Sequence, residues 1–399
     1  MITALFLEDF GLLVDAMSSA SSTLAARLAP RPLATDTASS AVTVVQGAEA
    51  VEQASADWQA IERAGGAATP FQNFTMARAA ASAHVRRGEV PRIAVVRRDG
   101  RPVVILPTVL VKQFGLTVVR FLGDPLVQYG DALCEPGTAK HDIEAAWRAA
   151  ANPAVAHAVH FRKVRADARI APVLRDAANA TNHDAAPFLD IARASRCADD
   201  EPRQLRRSRR KLASLGTLRL DVTQGDDARM HLHEALAIKR AWLAARRLPS
   251  SVIGDQRWED ALVELAGNGG AIRLRVAVLK VGDKAAAYEV AFTAGDRWYA
   301  FIGAVVEEFA RHGPGRVQVA DTIDYCRANG FARYDLLAPS DDVKRSYCSD
   351  AVAVADYTRA LRPGGYLLAA AARLSPAAKA LLVRLPPALR KPILTLAGR

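Results

Sequence analysis

Trp298-Tyr299-Ala300-Phe301-Ile302-Gly303, Glu307-Glu308-Phe309-Ala310 and Arg311-His312-Gly313-Pro314-Gly315-Arg316 lead into residues 317–328 and then Tyr334-Asp335-Leu336-Leu337. The fold is decided by this stretch. The aromatic and aliphatic run from Trp298 to Val305 predicts a strand. Val319, Ile323 and Cys326 make one apolar stripe, which predicts a helix from Val317 to Ala328 that Asn329-Gly330 closes. Tyr334 to Leu337 predicts the next strand. The unit reads strand, glycine turn, helix, strand. Glycines let a backbone approach a ligand closely. The free N–H groups of a first helical turn, with the helix dipole, attract negative charge. Arg311, Arg316 and the imidazole of His312 add donors, so the turn suits a pyrophosphate. A plain connection needing φ > 0 would carry the same glycines. The turn is neither GxxxxGK[ST] nor GxGxxG, which argues against a nucleotide triphosphatase and a Rossmann dehydrogenase.

Working outward, the same plan occurs twice. In the second half, residues 205–215 predict a basic helix with Gly216 as C-cap. Leu218 to Val222 alternates like a strand, and residues 227–246 and 257–267 predict helices. Leu274 to Leu279 and Ala285 to Phe292 flank Gly282-Asp283 as a hairpin. In the first half Ala41 to Val45 predicts a strand. Helices follow over residues 47–61, with Trp58 and Ile61 on one face, and over residues 73–87. Ile93 to Val96 and Val103 to Leu106 flank Asp99-Gly100 as a hairpin. Thr117 to Leu122 is a strand and residues 141–151 a helix. Ile93-Ala94-Val95-Val96 matches Val276-Ala277-Val278-Leu279, and Phe121-Leu122-Gly123 matches Phe301-Ile302-Gly303. The common order and an offset of about 180 residues predict an internal duplication.

The chain has 399 residues, a length that suits two domains, and half of it is apolar. We expect a tail or linker over residues 1–42, domains over 43–190 and 191–360, and a helical extension over 361–399. The net charge of +11 favours anionic partners: cofactor phosphates, nucleic acid or an anionic membrane surface. Cys134, Cys197, Cys326 and Cys348 form no CxxC pair and no Cys/His cluster with zinc spacing, so no metal is expected. So few thiols in so long a chain fit a reducing cytoplasm. The first residues carry Glu8, Asp9 and Asp15 without an early Lys or Arg, which is not the pattern of a secretory signal. No window reaches ~18 uncharged apolar residues, as a spanning helix would.

The order of loose motifs carries a resemblance. It runs Thr69-Pro70-Phe71-Gln72, Leu106-Pro107, Phe121-Leu122-Gly123, Gln128-Tyr129-Gly130-Asp131, the Arg-rich helix before Gly216, Lys239-Arg240-Ala241-Trp242, Gly313-Pro314-Gly315, Tyr334-Asp335-Leu336-Leu337 and Val343-Lys344-Arg345-Ser346-Tyr347. Over residues 45–360 this resembles the GNAT acyltransferases of the CelD type, linked to bacterial cellulose synthesis. Those are similar to the FemAB-type aminoacyltransferases with two GNAT-like halves. The resemblance implies an α/β fold of mixed sheets with flanking helices, in tandem GNAT-like domains of which the second is catalytic. It implies acetyl-CoA or another acyl-CoA as donor, with aminoacyl-tRNA as the alternative in the FemAB branch. An amine or hydroxyl would be the acceptor, and polysaccharide-synthesis or cell-envelope machinery a candidate partner. An inactive scaffold of the same fold is a further alternative. The turn Arg311 to Gly315 resembles the R/QxxGxG/A cofactor loop, one residue shorter before the first glycine.

Direct acyl transfer from a thioester needs a polarised carbonyl, a base for the acceptor, and a proton for the leaving thiolate. A donor for the carbonyl is expected on the strand at Ile302, Gly303 and Ala304. Glu289, an acid inside the apolar run Ala287-Tyr288-Glu289-Val290-Ala291, is the first choice of base, since burial raises a carboxyl pKa toward neutrality. Pointing outward from an edge strand is its other reading. Asp335 follows the same logic, or is a hydrogen-bonded structural acid. Tyr299 and Tyr288 are candidate acids, or core residues. By the resemblance, Lys344 lies at a substrate phosphate; otherwise it is a surface lysine. Lys239 and Trp242 share a helix face and line the acceptor cleft, or form a core Trp with a snorkelling Lys. The helix from Arg203 to Lys211 holds six Lys or Arg but no interleaved aromatics or nucleic-acid reader motif. It reads as a solvated face or an anionic-substrate rim. Residues 366–399 predict an amphipathic helix that lies on a membrane, on a partner, or on the domain itself.

Overall fold

The computed structural model describes residues 40–384 except Ala68, Ala192, residues 194–201, Pro249 and residues 268–269; over residues 375–384 it describes the backbone alone. The N-terminal segment before Ser40, Cys197 and the last fifteen residues of the expected C-terminal extension lie outside that range.

Both halves build the same strand-and-helix succession. The first runs β1 (Ala41–Gln46), α1 (Ala50–Gln53), α2 (Ser55–Arg63), a 3-10 turn at Pro70–Gln72, α3 (Phe74–Arg86), β2 (Val90–Arg98), β3 (Arg101–Gln113), β4 (Leu116–Phe121), the short β5 (Leu133–Cys134), α4 (Lys140–Ala150), β6 (Ala158–Arg165), α5 (Ala171–Ala177) and β7 (Asn179–Asp190). The second runs α6 (Arg203–Ala213), β8 (Leu218–Thr223), α7 (Gly225–Ala245), α8 (Gln256–Gly267), β9 (Ile272–Val281), β10 (Lys284–Ala294), β11 (Arg297–Val305), a 3-10 turn at Glu307–His312, α9 (Pro314–Ala328), β12 (Arg333–Asp335), α10 (Asp342–Arg345), β13 (Asp350–Ala360) and α11 (Pro363–Arg384).

The expected duplication is present in the pairing. β1-β2-β3-β4 and β8-β9-β10-β11 are each antiparallel throughout. β4 then pairs β6 in parallel, and β11 pairs β12 in parallel. The two arrays meet by exchanging a strand. β7 leaves the first half to pair β12, β13 leaves the second to pair β6, and the two travellers pair each other antiparallel. One mixed sheet results among the described residues, ordered β1-β2-β3-β4-β6-β13-β7-β12-β11-β10-β9-β8.

Helices cover both faces. α4 packs on the first half through Trp147, against Phe121 and Phe161. Trp58 and Ile61 of α2 bury the opposite face, as their i, i+3 spacing predicts. α7 and α8 cover the second half with Leu232, Leu236, Trp258 and Leu262. Phe71, Met76, Ala80 and Ala83 from the first half join that same cluster, so a shared apolar core welds the halves. On the other face α6 and α9 pack through Leu205, Leu212, Val317 and Ala320.

Three local expectations need correction. The helix expected over residues 47–61 is broken at Ala54 into α1 and α2. α6 ends at Ser214, not at Gly216, whose φ is not left-handed; a Cβ there would sit 2.9 Å from the Gly282 amide N, so close backbone approach requires that glycine. The strand expected over Tyr334 to Leu337 stops at Asp335, because Leu337 takes φ 59° and leaves the extended region.

Candidate active site

The early stop of β12 opens the sheet. β11 pairs β10 along its whole length, with a bulge at Phe301 where Val290 faces Ile302 and Ala291 faces Ala300. It pairs β12 only through Arg297, Trp298 and Tyr299. From Ala300 onward that edge of β11 has no strand beside it among the described residues. A cleft of about 640 Å³ occupies the wedge. Ala300 and Gly303 with Gly315 and Val319 of α9 line it from one face of the sheet, and Lys239, Val252 and Ile253 from the α7–α8 face. Leu336 to Pro339 form the far wall.

Six of the residues singled out in the sequence meet here: Lys239, Glu289, Ile302, Gly303, Gly315 and Lys344. Glu289 points to the α9 side and is 4% exposed. Trp298 Nε1 donates to its Oε1 at 2.8 Å and Tyr334 Oη donates to its Oε2 at 2.5 Å. Burial pushes its carboxyl from 4.5 up to about 7, against the pull of those two hydrogen bonds. Gly303 has open space where a side chain would be. Lys344 Nζ donates to the carbonyls of Leu337 at 3.0 Å and Pro339 at 2.8 Å, which ties down the far wall. Burial lowers its pKa. Lys239 lies 4.6 Å from the Trp242 ring centroid, and Arg246 covers the same ring at 4.4 Å. Burial and then Arg246 lower the Lys239 pKa.

The glycine turn delivers Gly315 to the cleft. Gly313 caps α9 with φ 71°, and a Cβ on it would lie 2.7 Å from Ser208 Oγ, so basic helix α6 packs directly on the turn. Arg209 Nη2 donates to Asp321 Oδ1 of α9 at 2.7 Å and holds the two helices together. Pro314 sits at the first helical position, where its missing N–H costs nothing. No side chain caps α9 and no acid lies in its first turn, which leaves its N-terminus suited to an anion. Arg311 and Arg316 are exposed beside it, and Arg311 Nε donates to His312 Nε2 at 3.0 Å. The Nδ1 of His312 is buried without a hydrogen-bond partner.

Other candidates lie off the cleft. Tyr299 is 1% exposed and packs edge-on against Phe71. Tyr288 faces α7 and donates to Glu234 Oε2 at 2.9 Å. Ala304 is buried in the α7–α8 core. Asp335 accepts from Tyr129 Oη at 2.6 Å, from the Leu337 amide at 2.8 Å and from Arg165 Nη1 at 3.3 Å, and so joins the two halves. Gln128, from the motif Gln128-Tyr129-Gly130-Asp131, and Lys163, which the sequence did not single out, also line the cleft from the first half. No local pattern marks Lys163, because its place depends on β6 lying across the junction. Among the described residues no group of His, Cys, Asp or Glu could hold a metal ion, and no helix is long and apolar enough to cross a membrane.

Residues 201–345 match the profile of the acetyltransferase (GNAT) domain family, a span that runs from α6 through α10. No curated protein matches the chain in sequence. Among solved structures, FemX is similar at a TM-score of 0.55 and 14% identity, over 78% of this chain and 98% of FemX. L-PGS from Bacillus licheniformis is similar at 0.53 and 14%, over 80% of this chain and 95% of that one. The C-terminal domain of a putative lysylphosphatidylglycerol synthetase from Agrobacterium fabrum is similar at 0.50 and 13%, over 80% and 96%. At such identities these likenesses concern the fold alone. The second half matches the GNAT profile and the first repeats its strand topology, so the chain has a mixed α/β fold of two GNAT-like halves in tandem.

Proposed function

We propose that the chain is an acyltransferase that moves an acyl group directly from an acyl-CoA, acetyl-CoA foremost, to an amine or hydroxyl. Residues 191–360 form its catalytic lobe and residues 43–190 its companion. One observation carries this reading: the unpaired edge of β11, the uncapped α9 terminus and a buried carboxyl converge on one cleft. The diphosphate of the donor would rest on the amides of the α9 turn, flanked by Arg311 and Arg316. Its pantetheine arm would follow the β11 edge, whose free amides polarise the thioester carbonyl. Glu289 would take the acceptor's proton and return it to the departing thiolate. With a carboxyl pKa near 7 it is ionised often enough to accept a proton and acidic enough to give one back. Tyr299 and Asp335 would serve packing and the inter-half link. The cleft passes from one face of the sheet to the other, so donor and acceptor would meet from opposite sides.

Calorimetric titration of acetyl-CoA tests this. The wild-type chain binds, Gly315→Glu does not, and Glu289→Gln binds but turns over poorly. Failure of every CoA ester to bind sinks the reading. The packing of cationic α6 on the phosphate turn favours a second reading, in which the donor is an aminoacyl-tRNA. Turnover with charged tRNA but not with CoA esters would select it. Binding without turnover, unaffected by Glu289→Gln, would select a scaffold that assists polysaccharide synthesis.

A further inference from the structure

Among the described residues five non-glycine residues have left-handed backbone: Asp99, Phe114, Lys163, Arg247 and Leu337. Asp99 and Phe114 each precede a glycine in a hairpin turn, and Arg247 follows the end of α7. The other two, Lys163 and Leu337, both line the cleft, from opposite halves of the chain. Strained backbone at a ligand cleft is kept where the surrounding structure enforces it and the side chain's direction is useful.

The enforcement at Lys163 is visible. β6 and β13 slip register there, between Ala355 and Tyr357. The displaced Asp356 accepts the Lys163 amide at 2.7 Å, and Asn182 Nδ2 holds the other Asp356 oxygen at 3.3 Å. The Lys163 ammonium donates to Gln128 Oε1, and Gln128 is itself fixed through Nε2 to the Leu126 carbonyl at 3.0 Å. This bracket of first-half and β13 residues aims a cation at the second half's cleft. Across the cleft stands Lys239, backed by Trp242 and Arg246. Two acids line the same space. Glu289 is engaged by Trp298 and Tyr334, and Asp341 caps the Lys344 amide at 2.8 Å. Among the described lining residues three lysines, Lys163, Lys239 and Lys344, outnumber these two acids, and the buried carboxyl of Asp124 also feels the Lys163 charge, so the cleft carries lysines from both halves.

We propose that Lys163 and Lys239 form an anion subsite that holds a phosphate or carboxylate group of the acceptor, so that the first half selects the substrate on which the second half acts. The inference rests on the cleft being the acyl-transfer site proposed above. It predicts an acceptor that carries a negative group besides its nucleophile.

The test uses the full chain with Arg311→Glu and Arg316→Glu, two exposed positions outside the cleft lining that turn the α9 terminus against anions, and titrates pyrophosphate and malonate by calorimetry. At least one probe should bind, and which one binds tells phosphate from carboxylate. Lys163→Gly and Lys239→Ala, each in that background, should weaken binding tenfold or more. Lys163→Gly should not lower the melting temperature, because glycine relaxes φ 55°. If Lys163→Gly does not fold, Lys163→Met must show the same loss. No binding of either probe, or binding indifferent to both lysines, overturns the proposal. Acetyl-CoA titrated into the wild-type chain separates the two claims. Donor binding without an anion subsite overturns this inference alone, and an anion subsite without donor binding overturns the donor reading alone.

Discussion

The two halves share a topology and differ in the segment that succeeds the strand beside the wedge. In the second half the chain turns from β11 directly into the glycine turn and α9, and the wedge stays open. In the first half β4 and β6 also pair in parallel over a short stretch, Val118 and Val119 with Ala158 and Val159. There residues 122–132 fold back and fill the gap. The Gly130 amide donates to the Lys163 carbonyl at 3.2 Å, and Phe121 stacks on Phe161 with centroids 3.9 Å apart. A Cβ on Gly130 would lie 2.2 Å from the Phe121 ring. The helix termini differ in the same sense. α4 carries Asp142 in its first turn, where its carboxylate meets Arg98 and Ser40, whereas α9 carries no acid there. One half answers its helix dipole with its own anion, and the other has no acid in that first turn. A repeated fold thus supplies two equivalent openings, and the loop after the fourth strand decides which stays open.

The largest expected effects come from exchanging equivalent aromatic positions. Phe121→Ala removes a core ring and should cost about 3–5 kcal/mol in denaturant unfolding. Phe301→Ala, on the half-buried bulge, should cost clearly less than Phe121→Ala, since less of its ring leaves a packed core, and act instead on acyl-CoA affinity. Equal costs would show that the second wedge is packed like the first. Glu289→Gln should lower turnover by roughly 10²–10⁴-fold. Wild-type turnover should rise with pH through about 7 as Glu289 ionises, and the variant should lack that limb. The folded-state pKa is raised, so between the ordinary 4.5 and about 7 the native chain binds more protons than the unfolded one. Stability should therefore fall as pH rises across that window, and the fall should be absent in the variant. A smaller effect compares the turns before the two helices. Gly313→Ala should cost about 1–3 kcal/mol in stability from strain, since its Cβ also meets Ser208, and should weaken acyl-CoA binding. Gly137→Ala has φ 79° but open space around it, and should cost about 1 kcal/mol with acyl-CoA binding unchanged.

Much of this comparison was legible in the sequence. The hairpins at Asp99-Gly100 and Gly282-Asp283 announce themselves through turn chemistry, and the repeat emerges from their spacing. Glu289 stands out as an acid in an apolar strand, and the glycine turn as a helix start without a capping side chain. The central strands did not announce themselves. β7 begins Asn179-Ala180-Thr181-Asn182-His183-Asp184, and β6 reads Ala158-Val159-His160-Phe161-Arg162-Lys163-Val164-Arg165, so neither shows clean alternation. Their polar side chains have partners across the junction, such as His160 with Thr358 and Asn182 with Asp356. For Asp335 the sequence left a buried base and a hydrogen-bonded structural acid both open, because it does not show Tyr129 and Arg165 beside it.

The sequence by itself determined the local pieces: the two hairpins, the helix starts, the apolar faces and the buried acid. Each depends on residues a few positions apart, where propensity and periodicity act. Only the tertiary structure decided that β7 and β13 change places, that β12 ends early, and that Lys163 reaches across into the second half's cleft. Those outcomes depend on which side chains meet after distant strands pair and cores merge, and one position along the chain does not record them.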